Sequence, residues 1–207
     1  MSLILQSHTS EADGRIPSTV KRVENNKDTI TTVQQINKLV HTQSLQHLKC
    51  MANYGFYLLP VQPLTVTKGL RLHVKHAQAT TDFQQIEQWY NQYKDGWWAI
   101  ATGEKYGLPI IDIDLHGDKD GFKSLRENGL QLFSTFEQRT PNGGLYLGYA
   151  YNESVPTKSN IDAGIDTRNN GGFILIAPTK KNGKTYEWIH FPFNKALPDI
   201  PKAFIST

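Results

Sequence analysis

The chain has 207 residues, a formal net charge of +3 and 20% charged residues, long enough for one domain with a sizeable core. No apolar run approaches the ~20 residues of a membrane-spanning helix, and the opening MSLILQSHTSEADGR has neither the basic start nor the apolar length of a secretory leader. The single cysteine, Cys50, excludes an intrachain disulfide, so the sequence reads as a cytoplasmic protein with no membrane partner, and the mild positive balance admits a nucleic-acid partner without requiring one.

Residues 1–28 are polar and without period, and read as a loose arm. From Thr31, apolar residues at Val33, Ile36, Val40, Leu45, Leu48 and Met51 predict one or two amphipathic helices ending at Gly55, with Cys50 a buried bystander thiol. FYLLPV (56–61) reads as a buried strand, with Pro60 and Pro63 marking its exit. Thr81 and Gln84 have capping-box spacing, and Phe83, Ile86, Trp89, Tyr90 and Tyr93 continue as a helix over 82–94. WWAIATG and LPIIDIDL follow as strands, DKDGFKSLRENG as a short helix, and LQLFSTFEQRT and GLYLGYAY as strands joined by the turn PNGG. FILIAP and a strand near TYEWIHF close the series, after the turn KKNGK. The order, an α/β N-terminal part and then a mostly antiparallel sheet, is that of an α+β protein.

The run IIDIDL (110–115) places two carboxylates inside an apolar strand. Side chains alternate along a strand, so Asp112 and Asp114 share one face while Ile111, Ile113 and Leu115 point to the core. A buried charge without a partner costs several kcal/mol, so a cation opposite the pair or a strand ending at a site is expected. Two carboxylates ~6–7 Å apart along a strand suit a hard cation such as Mg²⁺ or Mn²⁺, with substrate phosphates completing its shell. A bland alternative is a strand end whose aspartates cap a loop or pair with Lys or Arg.

Three other patterns fail on spacing. An EF-hand beginning at Asp112 would need a bidentate Glu where Lys123 stands. The GKT at 183–185 lacks the first glycine of a P-loop, Pro178 standing there. The histidines at 41, 47, 73, 76, 116 and 190 show no zinc spacing; His73 and His76 read as a solvated turn and His116 as a loop residue. Further along, TPNGGLYLGY sets a glycine-rich turn before a strand, either as a hairpin or for close approach to a ligand. GIDTRNNGGFILIAP places Asp166 two residues before Arg168, either as a surface ion pair or, on a shared face, as a third carboxylate and a phosphate-binding guanidinium.

Taken in order, ANYGFYLLPVQP, ATTDFQQIEQWY, WWAIATGEKYGLPIIDID, TPNGGLYL, GIDTRNNGGFILIAP and YEW resemble the bifunctional primase/polymerase (prim-pol) domain of the archaeo-eukaryotic primase superfamily, of the type found in plasmid and phage replication proteins. The resemblance runs from about Ala52 to Trp188. It implies a two-lobed fold, an N-terminal α/β unit packed on a mostly antiparallel sheet lobe resembling the RNA-recognition motif, with residues 51–207 as the catalytic domain and 1–50 as an arm and helical segment. It places the acidic metal-binding pair on Asp112 and Asp114 and a third metal-binding aspartate on Asp166, with Mg²⁺ or Mn²⁺ as cofactor. The implied activity is template-directed nucleotidyl transfer from NTPs or dNTPs with two divalent metals. The implied partners are a single-stranded DNA template and a helicase domain or protein.

One position departs from the family pattern. Where its second motif ends in a phosphate-contacting histidine, this chain has Tyr146. A phenol can hydrogen-bond a phosphate oxygen but carries no imidazolium charge, which leaves a weak or inactive nucleic-acid-binding domain as the alternative. Arg168, Lys68 and Asn142 are the further nucleotide-binding candidates, and aromatics in the Trp97 and Tyr149 regions are candidates to hold the template. A metal-dependent nuclease using the same three carboxylates is a third reading.

Overall fold

The computed structural model describes residues 30–205 apart from 43, 64–69, 95, 182 and 194. The arm at 1–28 and Lys68 lie outside the described residues. The helical N-terminal pattern resolves into two helices, α1 (Val33–Thr42) and α2 (Ser44–Asn53). A reciprocal cap opens α1: the Thr32 hydroxyl accepts from the Gln35 amide at 3.2 Å, and the Gln35 side chain accepts from the Thr32 amide at 3.0 Å. Helix α1 buries Ile36 and Val40, one turn apart, and α2 buries Leu48, Cys50 and Met51. Burial pushes the Cys50 thiol up to about 12, which leaves it inert.

The chain continues through β1 (Leu58–Gln62), β2 (Arg71–Leu72), α3 (Phe83–Gln92), β3 (Trp97–Ala101) and β4 (Ile110–Ile113). The hairpin β5 (Leu115–His116) and β6 (Lys119–Asp120) leads into α4 (Gly121–Glu127). Then come β7 (Phe136–Arg139), β8 (Leu145–Gly148), β9 (Lys158–Asp162), β10 (Ile165–Arg168) and β11 (Phe173–Ile176). The hairpin β12 (Lys180–Lys181) and β13 (Lys184–Thr185) precedes β14 (Glu187–His190). The cap of α3 is Asp82, whose carboxylate accepts from the Gln85 amide at 2.7 Å, and not Thr81. A charged acceptor there also meets the positive end of the helix dipole.

Two larger sheets carry the fold, in the orders β11–β3–β1–β2 and β14–β7–β8–β4–β10–β9, with every strand pair antiparallel. The class is α+β, as the sequence implies. In the first sheet β1 pairs antiparallel with both β2 and β3, and β11 arrives from the far half of the chain to complete it.

The six-stranded sheet has core packing on both faces, which is why its central strands β4 (IIDI) and β8 (LYLG) are mainly apolar. Phe136, Tyr146 and Trp188 on one face join the larger core with α1, α2, α3 and the four-stranded sheet. Phe136 and Trp188 meet edge to face at 4.9 Å, and Asn37 docks α1 by donating to and accepting from the Trp188 backbone, both at 2.9 Å. On the other face Ile111, Ile113, Leu147, Tyr149 and Ile165 pack with Leu125 of α4 and with Ile200 and Phe204. Leu115, expected inward, is exposed because the chain leaves the sheet at Asp114 for the β5–β6 hairpin. His73 and His76 are half-buried rather than solvated: His73 stacks on Tyr93 at 3.9 Å and the His76 ring meets the Gly172 carbonyl at 2.7 Å.

Candidate metal centre

Alternation along β4 sends Ile111 and Ile113 into the second core and Asp112 to the opposite face. There Asp112 stands directly across from Asp166 of β10 on one side and Tyr146 of β8 on the other. Gln138 of β7 continues the row beyond Tyr146. Directly opposed residues of an antiparallel pair have side chains ~5 Å apart, so the register alone brings Asp112 and Asp166 together.

Asp114 lies just past β4 and is set by a crossing of turns. Its amide donates to the Gly164 carbonyl at 2.8 Å, and its carbonyl accepts from the Gly121 amide at 2.9 Å. Gly121 and Gly164 must both be small, since a Cβ on Gly121 would sit 2.3 Å from the Gly164 oxygen. Gly144, in the turn before β8, has the same role against the end of β4, where its Cβ would fall 2.2 Å from the Ile113 oxygen. The glycine-rich turn thus permits backbone to approach backbone. With these constraints, Asp112, Asp114 and Asp166 each offer an oxygen within 4.8 Å of the others.

The charges in this cluster are unequally matched. Arg168 donates to the outer oxygen of Asp166 at 2.6 Å and to the Ser159 hydroxyl at 3.1 Å, and lies 3.9 Å from Asp112. The other Asp166 oxygen accepts from the Asn160 amide at 2.7 Å. Asp114 is flanked by His116 at 3.7 Å and Lys119 at 3.9 Å. Asp112 is buried, and its Oδ1 has no hydrogen-bond partner. Burial, then the Asp114 charge, with a further contribution from Asp166, push the Asp112 carboxyl up to about 8 against the opposing pull of Arg168 and Lys119.

An orphaned buried oxygen inside an all-oxygen donor set is what a hard divalent cation would satisfy, so these residues fit Mg²⁺ or Mn²⁺. Ligation needs the ionised form, so filling the site would drive the proton off Asp112.

The other candidates are less uniformly placed. Tyr146 is buried beside Asp112 with its ring stacked on Tyr186 at 5.8 Å. Burial and the Asp112 charge raise its phenol well above the ordinary value, so it stays protonated. Asn142 sits exposed on the turn between β7 and β8, beside the end of the sheet. Trp97 is half-buried, but Tyr149 is 1% exposed within the second core and is not available to a template strand. Lys119, a cation beside Asp114, and His116, read from the sequence as a loop residue, both flank the acidic pair; their signal is the HGDK loop directly after it.

No helix among the described residues is long and apolar enough to cross a membrane. Among curated proteins, none matches the chain. The Prim-Pol family, described as bifunctional DNA primase/polymerase, N-terminal, matches residues 47–203 and so takes in every element of the acidic cluster. By this match the chain belongs to the Prim-Pol family of bifunctional DNA primase/polymerases.

Proposed function

We propose that the chain is a template-directed nucleotidyltransferase that starts or extends primers from NTPs or dNTPs on single-stranded DNA, in plasmid or phage replication. Family membership supports primase/polymerase chemistry, and the observation that carries the site assignment is the convergence of Asp112, Asp114 and Asp166. In this reading residues 51–207 form the catalytic domain. The four-stranded sheet with its helices and the six-stranded sheet correspond to the two lobes.

Asp112, Asp114 and Asp166 hold the divalent ions. Mg²⁺ or Mn²⁺ held by these residues would supply Lewis-acid charge for nucleotidyl transfer. The chain's own work is positioning and charge placement. Asp112 is rigid in the sheet centre, whereas Asp114 on its hairpin exit is the more adaptable ligand. Arg168, now bonded to Asp166, and Lys119, beside Asp114, are the two cations of this cluster that would contact a phosphate. Tyr146 offers a neutral hydroxyl where the family has an imidazole, so its contribution to phosphate binding is a hydrogen bond without charge. Lys68 and Asn142 are further nucleotide contacts in this reading.

Primer extension on a primed template with Mn²⁺ and labelled dNTPs tests the proposal. Longer products that vanish with Asp112→Asn and Asp114→Asn support it; degraded primer would point instead to a nuclease. Burial of Tyr146 against Tyr186 favours one second reading, a domain that binds nucleic acid with little or no catalysis. In that case the oligonucleotide binds in a salt-dependent way while the primer stays unchanged.

A further inference from the structure

Behind the Tyr146–Tyr186 stack, the sign of the surface reverses. A groove of about 450 Å³ opens between the β7–β8 turn, the β12–β13 hairpin and the end of α1. Arg139, Lys180 and Lys184 line it, together with His41, Asn142 and a single acid, Glu187. Arg139, Lys180 and Lys184 are all exposed, and among the described residues none of them has a carboxylate within 4.0 Å. Arg139 stands directly across from Glu187 in the β7–β14 pairing, yet the two do not form an ion pair. Three cations gathered in one concavity repel one another, and among the described residues the single carboxylate of Glu187 is the only lining charge that offsets them. A bound polyanion would offset the rest.

The position of the groove says which anion. Thr140, Pro141, Asn142 and Gly143 line one side of it, and the next residue, Gly144, abuts the carbonyl of Ile113, the residue just before Asp114. Arg139 on β7, Leu145 on β8 and Ile113 on β4 form one cross-strand row, a span of roughly 10 Å at the usual strand spacing, so Arg139 lies at the same end of the sheet as Asp114 although its side chain leaves the face opposite to Asp112. A chain running along the end of the sheet therefore meets an acidic site suited to metal and then a basic groove suited to phosphate. Beside its three cations the groove has few side chains that could read base edges, namely Asn142, Thr140, Thr185 and His41 among the described residues, so backbone phosphate is the ligand it suits.

We propose that this groove is a backbone-binding site for single-stranded nucleic acid, with Arg139, Lys180 and Lys184 contacting its phosphates without regard to sequence. The inference rests on the nucleotidyl-transfer reading for the direction of the strand, but not for the groove's charge. Glu187 is the one group in the groove that opposes binding.

The test is the salt dependence of binding for a fluorescently labelled single-stranded oligonucleotide, read by anisotropy in EDTA so that no metal or catalysis is involved. Each phosphate contact on a single strand contributes about 0.7 to the slope of log affinity against log salt. The triple variant Arg139→Ala/Lys180→Ala/Lys184→Ala is expected to flatten that slope by about 2, equally for oligonucleotides of different sequence. Glu187→Gln is expected to tighten binding several-fold. All four side chains are exposed, and an unchanged circular dichroism melt shows that the variants fold. A slope unchanged in the triple variant, with Glu187→Gln without effect, overturns the proposal. So does a triple variant that keeps oligonucleotide affinity but loses labelled dNTP, because the groove would then hold a free triphosphate. Loss of primer extension in the Asp112→Asn protein with an unchanged slope in the triple variant would sink the groove alone. A flattened slope with no extension by the unaltered protein would sink the nucleotidyl-transfer reading alone.

Discussion

Replacing Asp112 by Asn removes a carboxylate that burial penalises heavily while keeping the side chain's shape. The carboxyl is pushed from its ordinary value to about 8, so between about pH 4 and pH 8 the native state keeps a proton that the unfolded chain has lost. Stability of the unaltered protein must therefore fall as pH rises through that window, and level off above it. Each unit is worth about 1.4 kcal/mol, so the loss between about pH 5 and pH 8 is about 4 kcal/mol. The Asp112→Asn protein has no proton to lose at this position and escapes the trend. Urea unfolding in EDTA, followed by tryptophan fluorescence at several pH values, measures the difference. Asp112→Asn should be more stable than the parent by several kcal/mol at about pH 8 and by little at about pH 4. Saturating Mn²⁺ should reverse the order at high pH, since ligation stabilises only the protein with the carboxylate. A stability difference flat across the range would refute the account of Asp112 as a buried, under-compensated acid.

Arg168→Ala deletes the guanidinium bonded to Asp166 at 2.6 Å. It should cost about 2–3 kcal/mol without metal, most of it recovered with Mn²⁺, as measured by thermal melts in each condition. Gly164→Ala forces a side chain into a left-handed turn packed on Gly121, and should weaken Mn²⁺ binding by calorimetry more than ten-fold through displacement of Asp114. Tyr146→His removes the stacking on Tyr186 and should lower stability by about 1–3 kcal/mol while strengthening binding of labelled dNTP; unchanged or weaker dNTP binding would count against Tyr146 occupying the phosphate-contact position. Mn²⁺ binding near neutral pH should release close to one proton, seen as a dependence of binding heat on buffer ionisation enthalpy.

The acidic pair was legible in the sequence because a strand's period of two dictates which residues share a face. That Asp112 faces away from Ile111 and Ile113 follows from that alone. The period does not say which strand lies alongside, so the direct pairing of Asp112 with both Asp166 and Tyr146 had to come from the register. The same gap explains β11, an apolar strand whose sequence carries no sign that it completes a sheet begun in the first half of the chain. Leu115 and Tyr149 were misjudged for related reasons. A hairpin exit rotates the chain at Asp114, and an aromatic beside a turn can be core on a sheet covered from both sides. The Asp82 cap was missed because two candidate capping residues adjoin, and only geometry tells which accepts from Gln85.

The most direct test is anomalous scattering from a crystal grown or soaked with Mn²⁺ and a dNTP. The account predicts manganese peaks within ligand distance of carboxylate oxygens of Asp112, Asp114 and Asp166, with Arg168 turned away from Asp166 toward the triphosphate. A bound nucleotide with no manganese between these three residues, and Arg168 still seated on Asp166, would contradict it.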